Sequence, residues 1–355
     1  MKKINAAVIG CGLVAQKRHL PILNKLRDKI EIKAICDTNE KLLSIVGDKY
    51  NIKGRYDKLS DMFSHEDIDF VNICTPPKTH LPISINAIEN NCNILLEKPM
   101  AYSSADCDKI IKSARKNNVK LGVIHNQLFN PPILKARKIM EKKEFGNFVG
   151  MRLLMHDPRD LRILDKNNWV HGLPSGVLSE TGPHAIYLSL SFIGKVKNVE
   201  IFARNYLNHP WAPHDDFRIY LEGKNSSSNI VISYTSPKRG SYCDLLSTEE
   251  TLKMDLLSML VIREKSDGSM NPRNLAIRPL NNSFQTIAGV FSNSIKMFTG
   301  RIKLGHEIII EKFIDSIIFD KTPPVTGEEG RDTIKTMELI TSKYKRKYKK
   351  NFEKI

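Results

Sequence analysis

Much of what would assign this 355-residue chain quickly is missing from it. Its six cysteines, Cys11, Cys36, Cys74, Cys92, Cys107 and Cys243, form no C-x-x-C pair and keep no zinc-type spacing to histidine. That argues against a structural metal and fits a reduced, cytoplasmic protein. No stretch approaches the ~20 apolar residues of a membrane span. Internal repeats and long low-complexity linkers are absent. Acidic residues are in deficit, 39 against 55 Lys+Arg, leaving a formal charge of +16 that favours anionic ligands. No helix-turn-helix, zinc-finger or RNA-binding signature accompanies the charge, so a nucleic-acid partner is not expected. The basic end, Lys343, Lys345, Arg346, Lys347, Lys349, Lys350 and Lys354 around Tyr344, Tyr348 and Phe352, reads as a solvated terminal helix. A hydrophobic content of 41% excludes general disorder and suffices for two domains.

Up to residue 125 short apolar runs alternate with amphipathic ones, the rhythm of a parallel sheet covered by helices on both faces. Strands are expected at Ile4–Ile9, Ile30–Cys36, Phe70–Cys74, Asn93–Leu96 and Lys120–His125, with helices near Asn39–Tyr50, Leu81–Asn90 and Ser103–Asn117. Pro21 should interrupt the first helix and restart it. After Pro131-Pro132 comes a helix near Ile133–Lys142, then strand-like runs at Phe148–Met155, Val196–Asn205, Phe217–Glu222 and Asn229–Thr235, with Asn225–Asn229 as a hairpin loop. Leu304–Phe319 has helical spacing. The expected architecture is α/β: a doubly wound Rossmann domain at 1–125, and an α/β domain with a large, mostly antiparallel open sheet at 126–355, whose last helices return to the first domain.

Gly10-Cys11-Gly12-Leu13-Val14-Ala15 follows the first strand and opens a helix, matching the G-x-G-x-x-A dinucleotide fingerprint. Gly10 allows a tight turn, Gly12 lets the backbone approach a pyrophosphate, and the helix N-terminus favours the anion. The preceding Lys2 and Lys3 give this segment a superficial likeness to a secretory signal, but Gly10 and Gly12 interrupt the apolar run. Asp37 ends the second strand, where a carboxylate accepts from both ribose hydroxyls. It would repel a 2′-phosphate, and Thr38 rather than an arginine follows, so NAD is expected over NADP.

Glu97-Lys98-Pro99 falls at the carboxyl edge of the expected sheet, where ligands bind in such folds. Lys98 can hold a substrate oxygen, and the turn at Pro99 is a candidate for a cis bond. Together with Arg18-His19-Leu20-Pro21, Thr75-Pro76-Pro77 with His80, Asn126 before Phe129 and Pro131, Asn168-Trp169, the run Ser175 to His184, Pro323 to Gly327 and Glu329-Gly330-Arg331, these motifs give a chain that resembles the glucose-fructose oxidoreductase/inositol dehydrogenase (Gfo/Idh/MocA) family over nearly its whole length.

The resemblance implies hydride transfer between NAD and a secondary hydroxyl of a sugar, cyclitol or nucleotide-sugar, in a homodimer or homotetramer. It implies cofactor contacts from Gly10, Gly12, Leu13, Val14, Asp37, Thr75, Pro76, His80, Glu97, Lys98 and Asn126. Glu180 and His184, one helical turn apart, match the family's substrate-facing aspartate and histidine. His184 is then the general base, Lys98 a partner of the same oxygen, and Glu180 an orienting group. Arg152 and Trp169 are further substrate candidates, as are His156, Arg159 and His171. Two departures stand out: Glu180 replaces an aspartate, and Leu128 replaces an arginine common in relatives. No metal is expected, because His209, His214, Asp215 and Asp216 lack ligand spacing. Competing readings are an NAD-dependent glycoside hydrolase of this fold and a catalytically silent NAD sensor.

Overall fold

The computed structural model describes residues 3–157, 161–265, 268 and 270–352; Arg159 and Lys354 lie outside them. Two compact units emerge, residues 1–126 with 305–335, and residues 127–304 with 336–355.

The first unit holds β1 (Ile4–Ile9), α1 (Leu20–Lys25), β2 (Ile30–Cys36), α2 (Glu40–Tyr50), β3 (Gly54–Tyr56), α3 (Leu59–His65), β4 (Phe70–Ile73), α4 (His80–Glu89), β5 (Asn93–Leu96), α5 (Ser104–Lys116) and β6 (Leu121–Val123). All six strands are parallel, in the order β3-β2-β1-β4-β5-β6. This is the doubly wound order that reverses direction beside β1 and so opens a crevice at the carboxyl ends of β1 and β4. Buried on both faces, Ala6, Ala7, Val8, Phe70, Val71 and Ile73 form a continuous apolar core. Asn39 and Ser103 cap α2 and α5, each accepting from a backbone N–H three residues on.

Pro21 stands in the first turn of α1, as expected of a restarted helix, but the chain before it is not broken: Ala15–His19 forms a π-turn, with the Leu20 N–H reaching Ala15 O, that leads directly into α1. The wider turn makes room for a ring that has no N–H of its own to donate. β3, a three-residue edge strand, gave no apolar run for the sequence to reveal. From the C-terminal part of the chain, α10 (Gly305–Ile318) sets Phe313 5.5 Å from Phe70, against Gly122, where any Cβ would fall 2.6 Å from the ring.

The second unit holds α6 (Pro131–Met140), β7 (Phe148–His156), α7 (Leu161–Leu164), α8 (Val177–Ile193), β8 (Asn198–Arg204), β9 (Asp216–Glu222), β10 (Ser227–Ser233), β11 (Gly240–Ser247), β12 (Glu250–Asp255), β13 (Leu260–Lys265) and α9 (Pro272–Phe298). Its sheet runs β13-β12-β11-β7-β10-β9-β8, antiparallel except for the β7–β10 pair. One face buries Met151, Leu153, Met155, Ile230, Ile232 and Leu245, and α8 packs there, Ser189 bonding Ser228 at 2.8 Å. The 225–229 hairpin loop is shorter than its polar sequence suggests. Ser227, Ser228 and Asn229 are already in β10, since Ser228 faces the core and finds its partner in Ser189.

α11 (Gly327–Lys347) begins in the first unit and ends in the second, followed by α12 (Lys349–Phe352). The basic end is helical, as expected, but it is not simply solvated. Tyr344 is fully buried and bonds His214 Nδ1 at 2.7 Å. Lys343 donates to Val199 O, Lys347 donates to Ile201 O at 2.9 Å, and Tyr348 Oη accepts from Ala203 N at 2.8 Å. These side chains bond three backbone groups along the free edge of β8 and hinder the docking of further strands there.

Candidate active site

In the first unit, Gly10 turns the chain off β1 with φ +90°, a conformation that other residues rarely adopt. A Cβ there would come within 2.9 Å of Cys74 C and Thr75 Cγ2, so the close approach of β1 and β4 at the crevice requires glycine. At Gly12 the opposite holds: an added Cβ would meet nothing within 4 Å. Leu13 and Val14 follow with their side chains exposed, unusual for apolar residues on a first helical turn. Asp37 is joined to this turn, its Oδ2 accepting from Cys11 N at 2.7 Å and its Oδ1 from Asn39 N at 2.8 Å. An open glycine backbone, exposed apolar side chains beyond it and a carboxylate at the end of β2 together fit a dinucleotide.

Thr75 and Pro76 continue from β4 at the same edge. Thr79 Oγ1 donates to Thr75 Oγ1 at 2.8 Å. His80 is fully buried, with Nε2 2.8 Å from Thr75 O and Nδ1 3.1 Å from Pro99 O, so it braces the β4 loop against the turn after β5. Desolvation lowers its pKa. The Lys98–Pro99 bond is cis. Half-buried Lys98 stands at that turn, and Asn126 closes the unit.

Glu97 is also buried, and its environment is more specialised than a cofactor contact requires. Oε1 lies 2.6 Å from His19 Nε2 and 3.7 Å from His306 Nε2, while Oε2 accepts from Lys98 N at 3.0 Å. Burial pulls the His19 pKa down, but the neighbouring Cys74 and Glu97 outweigh it and push it up to about 10. Burial alone would raise the Glu97 carboxyl; the two histidines instead hold it well below the usual carboxylate range. The Asn72 amide lies 2.7 Å from His19 Nδ1, with its Oδ1 buried and unbonded among the described residues. Turning that amide over gives both N–H groups of a charged His19 an acceptor. His19, Glu97 and His306 have their ligand atoms within 4.8 Å of one another. Tetrahedral zinc ligands at ~2.0 Å stand about 3.3 Å apart, so the 2.6 Å His19–Glu97 spacing is that of an ion pair.

In the second unit, α8 carries Glu180 and His184 on one face, both half-buried. His184 Nδ1 lies 2.8 Å from Tyr187 Oη, which also accepts from Gln127 N at 3.2 Å. One turn earlier, Thr181 Oγ1 bonds Tyr234 Oη at 2.7 Å. Tyr187, the residue that fixes the imidazole, was not anticipated. The signal was its place three residues after His184, on the same helical face.

Arg152 is not brought to this pair. It pairs in register with Asn229 and Asp244, on the sheet face opposite α8, and binds Asp244 at 2.9 Å. Strand alternation decides this, because Met151 and Leu153 point to α8. His156 lies on Arg152's face. Trp169 is exposed on a short turn capped by Asn168, and His171 bonds Asp165 O at 3.1 Å. Leu128 is buried and belongs to the apolar core. Asp215 accepts from Tyr206 N and Leu207 N, and Asp216 pairs with Arg218 at 2.9 Å, both structural uses. A buried histidine the sequence reading overlooked, His125, has its pKa lowered by desolvation to about 3.

Comparison with known proteins gives this geometry a family. Residues 4–125 match the oxidoreductase family with NAD-binding Rossmann fold, and residues 133–253 match the GFO/IDH/MocA C-terminal domain. The D-apiose dehydrogenase of Rhizobium rhizogenes is 23% identical, covering 97% of this chain and 95% of its own. Oxidoreductase P35 of Formosa agariphila is 26% identical over 56% of this chain and 63% of its own length. Inositol 2-dehydrogenase of Salmonella typhimurium is 25% identical over 43% of this chain and 45% of its own. Among solved structures, the WlbA dehydrogenase of Bordetella pertussis, in complex with NADH and UDP-GlcNAcA, superposes with a TM-score of 0.77 at 20% identity, covering 96% of this chain and 95% of that one. No helix among the described residues is long and apolar enough to cross a membrane. With matches to both of its domains, the chain belongs to the GFO/IDH/MocA family of oxidoreductases, and its first unit is that family's NAD-binding Rossmann fold.

Proposed function

We propose that this enzyme catalyses hydride transfer between NAD and a secondary hydroxyl carbon of a sugar, cyclitol or nucleotide-sugar. The relatives named for apiose and inositol support the substrate class, and the +16 charge favours a substrate carrying an anionic group. When bound, NAD supplies the hydride-accepting centre. Gly10, Gly12, Leu13, Val14 and Asp37 hold it, with Thr75 and Pro76 on the facing loop. Asp37 would repel a 2′-phosphate, so NAD is preferred to NADP.

His184 Nε2 takes the substrate hydroxyl proton. This requires the ring hydrogen on Nδ1, donated to Tyr187 Oη at 2.8 Å. Lys98 hydrogen-bonds the same oxygen and stabilises the charge that develops on it. Glu180 orients the substrate. The six free cysteines suit a reducing cytoplasm, and the working form is a homodimer or homotetramer.

The observation that carries this reading is the glycine turn, closed sterically at Gly10, open at Gly12 and tied to Asp37. The test is absorbance of reduced nicotinamide while the enzyme and NAD, or NADP, meet a panel of sugars, sugar acids, inositols and nucleotide-sugars. A rise with one class, faster with NAD and lost in Lys98→Ala with cofactor binding retained, is expected. No rise with any member, or full turnover in Lys98→Ala, would remove the proposed chemistry.

A further inference from the structure

A cavity of about 160 Å³ lies in the second unit at the start of α8, walled by the turn before that helix, the β8–β9 loop at Trp211 to His214, and Tyr344 and Lys345 of α11. Neither Glu180 nor His184 is part of its wall, and no carboxylate side chain is either. Trp211 is a fixed side of it, because its Nε1 donates to Ile163 O at 2.9 Å and the His209 ring stacks on it at 4.8 Å.

The helix start faces the cavity uncapped. Gly176 turns into α8 with φ +59°, and no side chain caps the helix. Ser179 N returns to Gly176 O at 3.0 Å, whereas Val177 N and Leu178 N have no acceptor among the described residues. A Cβ added at Gly176 would meet nothing within 4 Å, so the backbone is open there. Seventeen residues of helix place roughly half a positive charge at this end.

A helix start by itself would be satisfied by water, but His214 adds a buried group. It is only 3% exposed and lines the cavity. Nδ1 lies 2.7 Å from Tyr344 Oη, and Nε2, across the ring, has no partner among the described residues. Burial keeps both rings neutral, lowering the imidazole pKa against the pull of Asp215 and pushing the phenol's up. With the Tyr344 hydroxyl donating to Nδ1, the ring hydrogen sits on Nε2 and is offered to the cavity. Lys345 sets a full positive charge at the rim.

We propose that this cavity binds an oxyanion, the phosphate or carboxylate group of a small molecule, between the start of α8, His214 and Lys345. A cation would meet the lysine and the positive helix end, and an apolar ligand would leave each displaced donor unpaired at about 1–3 kcal/mol. The same chemistry serves two sources, the anionic group of a substrate and a free anion. The proposal concerns the occupant of this cavity and does not depend on the hydride-transfer reading.

Trp169→Phe leaves Trp211 as the one tryptophan of the chain, so its fluorescence reports the cavity wall. Inorganic phosphate added to that variant at constant ionic strength should change the emission saturably, with a Kd of about 1–10 mM, and chloride should not. Lys345→Met, at an exposed position, should weaken binding about threefold, and His214→Phe about tenfold, with circular dichroism unchanged. Glucose 6-phosphate and glucuronate separate the sources: binding tighter than that of phosphate assigns the site to a substrate group, and equal or weaker binding assigns it to a free anion. No saturable change up to about 100 mM phosphate overturns the proposal, and so does an unaltered Kd in both folded variants. If His214→Phe does not fold, Lys345→Met decides alone.

Discussion

Replacing His19 by leucine isolates the buried ion pair beneath the Lys98 turn. The substitution roughly conserves volume and removes the cation while Glu97 keeps the Lys98 N–H at 3.0 Å and His306 at 3.7 Å. Breaking one side of a buried pair costs 3–5 kcal/mol in general; with two contacts left to Glu97, the lower end, about 3 kcal/mol, is expected. That corresponds to a roughly 100-fold rise in hydrogen exchange of the most protected amides in β4 and β5, measured under native conditions and corrected for intrinsic rates.

The effect must also depend on pH with a fixed sign. His19 has a folded pKa raised to about 10 from 6.5, so its contribution is complete below pH 6.5 and disappears as pH rises through 10. The deficit of His19→Leu should therefore be largest near pH 6 and narrow towards pH 10. Adding Glu97→Met should recover most of it, because two apolar groups replace a pair rather than orphan a charge. A rise below about fivefold at pH 6, or a deficit that does not change with pH, would refute the ion-pair argument.

Gly10→Ala places a Cβ 2.9 Å from the Cys74 backbone at φ +90°, so a loss of about 2–4 kcal/mol in the first unit and weaker NAD binding are expected, read by thermal melting and cofactor fluorescence. His125, at about 3, and His80 have folded pKa values below their unfolded value of 6.5; stability is full above 6.5 and falls as pH drops towards 3. Melts from pH 7 to 4.5 should show that loss, and His125→Phe should flatten it; an equally steep profile in the variant would exclude His125. Tyr187→Phe removes the phenol from His184 Nδ1, so kcat should fall about tenfold and its acid limb should shift, with NAD affinity unchanged. An unaltered pH profile would mean the imidazole is held by something else.

Five of the six strands of the first sheet were legible because most of their residues are buried on both faces and read as apolar runs, Phe70–Ile73 and Asn93–Leu96 among them, whereas their order came from the structure. The glycine fingerprint was legible because a positive φ and a close backbone approach admit almost no other residue. β11, β12 and β13 were passed over, and α9 with them. Glu250 is buried in β12 only because Arg263 on β13 reaches it at 2.8 and 2.9 Å, and a charge reads as exposed until its partner is placed. Arg152 failed for a simpler reason: its neighbours along the chain say nothing of which sheet face α8 takes.

The sequence by itself determined the doubly wound unit, the dinucleotide turn and the one-turn spacing of Glu180 and His184, because these depend on local geometry and on periods of two and 3.6 residues. The tertiary structure decided which polar groups are fixed and by what. It joined His19 and His306 to Glu97, set Tyr187 Oη between His184 and Gln127 N, and docked Lys343 and Lys347 on the edge of β8. Burial, charge pairing and the cover of a free strand edge are properties of surfaces brought together from distant parts of the chain, and no window of sequence contains both partners.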